Sequence, residues 1–228
     1  MFLFDPTFII LIPAIILSFW AQMKVSTTFN RYSQVTSRSG MTGAQVAQAI
    51  LKSNNINDVR IEAVRGNLTD HYDPKNKVLR LSESVYGQSS LAALGVAAHE
   101  VGHAIQHDVD YAPLRIRSAL VPIAQFGSYG SWIILLVGIV LASTQLIQIG
   151  IILFVAVLAF QLVTLPVEFN ASSRALVQLE TGGFLTTEEI QGSKKVLSAA
   201  AMTYVAAVIM AVAQLIRLIL ISGILRRD

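Results

Sequence analysis

His99-Glu100-Val101-Gly102-His103, inside the apolar, alanine-rich run from Leu91 to His107, decides how the rest of the chain is read. Such a run is helical, and residues four apart on a helix share a face. The two imidazoles therefore converge on one point with the Glu100 carboxylate beside them. This is the helical half of a zinc hydrolase site. A catalytic zinc takes three protein ligands and keeps a fourth position for water, so a third ligand must come from elsewhere in the chain.

The chain around this motif is built for lipid. Of 228 residues, 54% are hydrophobic and 14% charged, well below the roughly 25% charged of a soluble domain. Crossing about 30 Å of hydrocarbon takes about 20 apolar residues as a helix. One such run covers Phe8 to Ala21, extended by Phe2 to Phe4, and has neither a basic leader nor a cleavage site, so it reads as an uncleaved anchor. Two more, Leu120 to Ala142 and Leu146 to Leu165, are joined by Ser143-Thr144-Gln145, a link short enough to force an antiparallel transmembrane hairpin. The fourth, Ala199 to Ile221, carries Arg217 and continues an amphipathic stretch from Glu188. One helix from Glu188 to Leu225 would be about 57 Å long at 1.5 Å per residue, so its first half would pack on a soluble domain and its second half enter the membrane.

Basic residues orient the spans. Eleven of 17 Lys and Arg lie between Lys24 and Arg117, and Arg174, Lys194 and Lys195 lie between the third and fourth runs. The positive-inside rule puts both segments on the cytoplasmic side and the N-terminus outside, although Arg226 and Arg227 fit that scheme badly. The expected organisation is an anchor at 1–23, a metalloprotease domain at 24–118, a transmembrane hairpin at 119–166, a second catalytic segment at 167–198 and a C-terminal helix at 199–228. The absence of cysteine excludes thiolate ligands, thiol nucleophiles and disulfides. A net charge of +3, explained by the positive-inside bias, gives no case for nucleic acid.

The stretch from Thr27 to Ser118 has ordinary globular composition. Thr42 caps a helix with Val46, Ala47, Ile50 and Leu51 on one face, stopped by Asn54-Asn55. Val59, Ile61 and Ala63 alternate with Arg60 and Glu62 as a half-buried strand. Leu68 to Tyr72 and Lys77 to Leu81 form a hairpin around Asp73-Pro74-Lys75-Asn76, and Ser89 or Ser90 caps the helix that carries the motif. The fold class expected is an α-rich integral membrane protein with a small α+β, zincin-like domain made of the motif helix and a small antiparallel sheet.

Two residues compete for the third ligand position. His107 continues the His99, His103 ladder, but it lies about 12 Å from His99 along the axis, too far to share an ion with bonds near 2 Å, and reads instead as a surface histidine or one that supports a ligand from behind. Glu168 stands at the end of the third span, which returns to the side of the motif helix, and opens an expected helix from Glu168 to Leu179. Its other reading is a solvated first-turn glutamate favoured by the helix dipole.

HEVGHAIQH, a transmembrane hairpin and EFNASSRAL together resemble the membrane zinc metallopeptidases of the HtpX and CAAX prenyl protease type, which are gluzincins, with an HExxH helix and a later glutamate ligand. TDHYDP and LRLSESVY, from Thr69 to Tyr86, bring the chain closer to the YugP-like family of bacterial membrane zinc peptidases, over nearly its whole length. Where the HtpX type has an aspartate four residues after the ligand glutamate, this chain has Ser172. The resemblance further implies that Lys77 to Ser82, with Val78, Leu79, Arg80 and Leu81, is an edge strand to which a substrate peptide adds by main-chain hydrogen bonds.

The activity expected is that of an integral membrane, zinc-dependent endopeptidase. His99, His103 and Glu168 hold Zn2+, and Glu100 is the general base. Candidates for stabilising the oxyanion are Arg174, His71 and Tyr204. Partners are the bilayer and a membrane-associated or misfolded protein substrate, and the expected place is the bacterial cytoplasmic membrane with the active site facing the cytoplasm. The alternative is a non-catalytic zinc-binding membrane scaffold or pseudo-protease, against which Glu100 argues, because a structural site has no use for a carboxylate beside an open coordination position. A transporter would want ionisable ligands within its spans, where only Arg217 is found.

Overall fold

A computed structural model describes residues 6–141 and 143–224, in which ten elements follow one another. After a 3₁₀ turn at Pro6–Leu11 come α1 (Ile12–Ser33), α2 (Gly43–Ser53), β1 (Arg60–Val64), β2 (His71–Asp73), β3 (Val78–Ser82), α3 (Glu83–Tyr86), α4 (Leu91–Asp108), α5 (Ala112–Val140), α6 (Thr144–Thr181) and α7 (Thr187–Ile224). The Phe2 to Phe4 extension and the Arg226, Arg227 pair lie outside the described residues. The chain divides into two units, one drawn from Met1–Gln22, Arg115–Leu165 and Thr203–Asp228, the other from Met23–Leu114 and Pro166–Met202.

The first unit is helical and apolar. Among the described residues, four helical stretches are long and apolar enough to cross a membrane: Pro6–Ser33, Ala112–Val140, Thr144–Thr181 and Thr187–Gly223. Glycines set how closely α5 and α6 approach. A Cβ on Gly127 would come within 3.0 Å of the Leu153 carbonyl, one on Gly138 within 2.9 Å of the Ile147 amide, and one on Gly150 within 2.5 Å of Leu135. The paired positions run in opposite directions, as the short link demands, and the packing is the small-residue kind that holds helices together in lipid.

The second unit surrounds one core in which Val46, Ile50 and Leu51 of α2, Leu79 and Leu81 of β3, Leu94 and Val101 of α4, Leu179 of α6 and Leu197 of α7 meet. Thr42 caps α2 as expected, in a full capping box with Gln45, and Asn54 closes it. Ser90 caps α4 by accepting from the Ala93 amide. Asp73 hooks the hairpin turn, accepting from the amides of Lys75 and Asn76 and from the Asn76 side chain, and these bonds pull its pKa down to about 2. The first arm differs at its start, because Asp70 does not pair in the sheet but accepts from the amide and hydroxyl of Ser82.

Three expectations are corrected here. The sheet is mixed, not antiparallel: its order is β1-β3-β2, with β1 parallel and β2 antiparallel to β3. β3 is consequently the central strand, and Val78, Leu79 and Arg80 have partners on both sides where an edge strand would have one. The physical reason is burial: Val78, Leu79 and Leu81 are essentially inaccessible, whereas the flanking strands carry Arg60, Glu62, His71 and Asp73, the charged and polar side chains that suit an edge. Glu168 does not open a helix, since α6 is continuous from Thr144 to Thr181. Pro166 removes one N–H from the ladder without ending it, as long apolar helices tolerate. The fourth run is one 38-residue helix, α7, whose residues up to Met202 belong to the second unit and whose remainder belongs to the first.

Candidate metal centre

Each functional side chain is placed by an element whose local logic is plain. Ser90 starts α4 and its alanine face buries against the core, and His99 and His103 follow one turn apart with Glu100 beside His99. α6 then passes alongside α4 at Gly102, where a Cβ would sit 2.6 Å from the Ala171 carbonyl oxygen. This close approach brings Glu168 over the two histidines. Its Oε2 lies 3.3 Å from His99 Nε2 and 3.6 Å from His103 Nε2. The three donor atoms all fall within 4.8 Å of one another, and the imidazole rings stand edge to face with centroids 4.8 Å apart. Ligands of a tetrahedral zinc with bonds of about 2.0–2.1 Å lie about 3.3 Å apart, so the donor set fits that ion in type, and the two distances from Glu168 to the histidines fit it in spacing.

Gly102→Ala tests that approach. The added methyl meets backbone, which cannot yield as a flexible side chain would. We expect α4 and α6 to be forced apart, a loss of about 1–3 kcal/mol of stability and weakened zinc retention, read by thermal unfolding and metal analysis of the purified chain.

The surroundings are dry and negatively charged. Glu168 has 4% of its side chain exposed, His103 11% and His99 14%, and Glu100 is also buried. Burial works against protonation of His103, but Glu168 and Glu100 outweigh it and hold the ring's pKa above the ordinary imidazole value. Carboxylates that favour one positive charge in this position favour a divalent cation more strongly.

Behind the donors, each ring's second nitrogen has a partner. Ser172 Oγ is 3.1 Å from His99 Nδ1, and Gln106 Oε1 is 3.0 Å from His103 Nδ1. Ser172, the residue that replaces the aspartate of the HtpX type, is thus the one that meets His99. Sequence reading missed Gln106 and Asn170. Gln106 lies one turn after His103 on the same helix face, and that spacing was the available signal.

The remaining candidates are spread over the chain. Arg174 donates from Nε to Asn170 Oδ1 at 2.8 Å. His107 Nδ1 lies 2.8 Å from the Tyr72 hydroxyl, whose pKa burial pushes up to about 12. His71 is exposed, its Nδ1 2.9 Å from the Thr69 carbonyl oxygen. Tyr204 falls in the part of α7 that belongs to the first unit.

The comparisons with known proteins agree with this chemistry. The chain is 51% identical over 210 residues, 92% of its own length and 93% of the relative's, to a protein of Bacillus subtilis (strain 168) named "Putative membrane protease YugP". No solved structure matches. Residues 7–223 match the family described as "putative neutral zinc metallopeptidase". With that match over nearly the whole chain, and a two-histidine, one-glutamate donor set spaced for zinc, the chain belongs to this zinc metallopeptidase family, a multi-pass membrane protein whose metal is Zn2+.

Proposed function

We propose that the chain is an integral membrane endopeptidase of the gluzincin type, with a zincin-like domain in which His99, His103 and Glu168 hold zinc and Glu100 is the general base. The observation that carries the reading is the convergence of two histidines from α4 and one glutamate from α6, with a second acidic side chain, Glu100, on α4. Bound there, zinc supplies Lewis acidity toward water and toward a peptide carbonyl. Glu100 takes the proton released by the attacking water at its carboxylate and hands it to the departing amine nitrogen. Burial of Glu100 and of the donors keeps bulk water from competing for that proton.

An extended substrate is assigned to β2 rather than β3. β2 is the antiparallel edge of the sheet and is tied to the motif helix through Tyr72 and His107, so main-chain hydrogen bonds to it would hold a peptide beside α4. A relative named as a putative membrane protease supports a protein substrate, and the class assigned to it is membrane-associated or misfolded proteins. The distribution of Lys and Arg supports a cytoplasmic active site in a bacterial cytoplasmic membrane.

The test is cleavage of an unstructured protein by the detergent-purified full chain before chelation, after chelation and after zinc is restored. Loss on chelation and recovery with zinc is the expected result. Undiminished cleavage by a chain shown to be free of zinc would refute the metallopeptidase mechanism. A zinc-loaded chain that cleaves nothing would favour a non-catalytic zinc-binding scaffold.

A further inference from the structure

Gln106 is fully buried on α4, one turn beyond His103, and both ends of its amide are engaged. Its Nε2 donates to the Val167 carbonyl oxygen at 2.8 Å and to Asn170 Oδ1 at 3.0 Å, and its Oε1 lies 3.0 Å from His103 Nδ1. The direction of every bond follows from chemistry. The Val167 carbonyl only accepts and the Arg174 guanidinium only donates, so the Gln106 NH2 must face Val167, and the Asn170 oxygen must face both Arg174 and Gln106. With its oxygen turned to His103, Gln106 accepts from Nδ1–H. The imidazole is then held in the tautomer whose Nε2 lone pair faces Glu168.

We propose that Gln106 is the positioning residue that sets the tautomer and ring orientation of His103 for zinc, with its direction imposed by Val167 on one side and by Arg174 through Asn170 on the other. The inference rests on the assignment of His99, His103 and Glu168 as ligands. The same amide joins the two parts of the site, since its partner Val167 precedes Glu168 on α6. Because this partner is a neutral amide, it orients the histidine without the added basicity that a carboxylate confers on a ligand imidazole.

Two substitutions in the full chain separate positioning from packing. Gln106→Met keeps most of the volume and makes none of the hydrogen bonds. Asn170 retains Arg174 as a donor and Val167 keeps its place in α6, so the His103 Nδ1–H is the group left orphaned. Gln106→Glu keeps the acceptor for Nδ1–H and gives up the donors.

Zinc affinity is measured by chelator competition, the Co2+-substituted absorption spectrum reports the ligand field, and thermal unfolding of the chelated chain reports packing. We expect Gln106→Met to bind zinc about 10–100-fold more weakly with an altered Co2+ spectrum, and Gln106→Glu to restore affinity to within about threefold of wild type. Wild-type affinity in Gln106→Met would overturn the proposal. So would weakening accompanied by an unchanged Co2+ spectrum and a lowered unfolding temperature, which is the signature of packing alone. Equal weakening in Gln106→Glu and Gln106→Met would overturn the tautomer assignment. His103→Ala is the control for the underlying reading: if it keeps zinc, the ligand set is wrong, whereas if it loses zinc and Gln106→Met does not, only the present inference fails.

Discussion

Glu100→Gln is expected to lower the rate of peptide hydrolysis by about 10²–10⁴-fold while zinc content stays at the wild-type level. The substitution conserves shape in a buried position and leaves His99, His103 and Glu168 untouched, so the ion has no reason to leave. What disappears is the carboxylate that accepts a proton from the attacking water, because an amide at that place has no basic oxygen at neutral pH. Parallel measurement of turnover and metal content on wild type and variant decides the matter. Loss of zinc together with activity would mean that Glu100 helps to hold the ion and would remove it from the role of base. Retained activity would refute the mechanism outright.

Glu168→Ala should act on the metal first and on catalysis only in consequence. It removes the one anionic donor of the three and leaves a divalent ion facing two neutral imidazoles in a nearly dry pocket, where an uncompensated charge is costly. We expect zinc affinity to fall more than about a hundredfold, beyond the 10–100-fold that changes behind the ligands produce. Chelator competition on the two proteins gives the ratio. A Glu168→Ala chain with full zinc affinity and full activity would show that α6 supplies no ligand, and the third donor would have to be sought elsewhere. Taken together the two variants separate the roles: one keeps the metal and loses turnover, the other loses the metal.

Local regularities made much of the molecule legible from its residues alone. Apolar run length located the helices that can cross a membrane, and four-residue spacing put His99 and His103 on one face of α4. Capping chemistry placed the start of α2 at Thr42 and that of α4 at Ser89 or Ser90, of which Ser90 is the cap, and the Asp73 turn announced its hairpin. Each of these rests on interactions within a few residues of one another, which is why a linear reading reaches them. The cofactor followed from the same short motif together with the resemblance.

Long-range pairing decided the rest. The strand order β1-β3-β2 depends on which strand buries more on both faces, a competition among segments far apart in the chain, so β3 came out central where an edge had been expected. Pro166 would end many helices, yet α6 runs through it, and Glu168 reaches the histidines from mid-helix. Gln106 and Asn170 carried no signal of their own beyond helical spacing, because a buried amide acquires its role only when its partners arrive from another helix. What the sequence alone determined is the chemistry at each position and the local geometry that periodicity dictates: the spans, the motif helix and the donors available to a metal. What only the tertiary structure decided is which of those groups meet, because α4 and α6 come together at Gly102 through packing between residues about seventy positions apart, and no local pattern records such a contact.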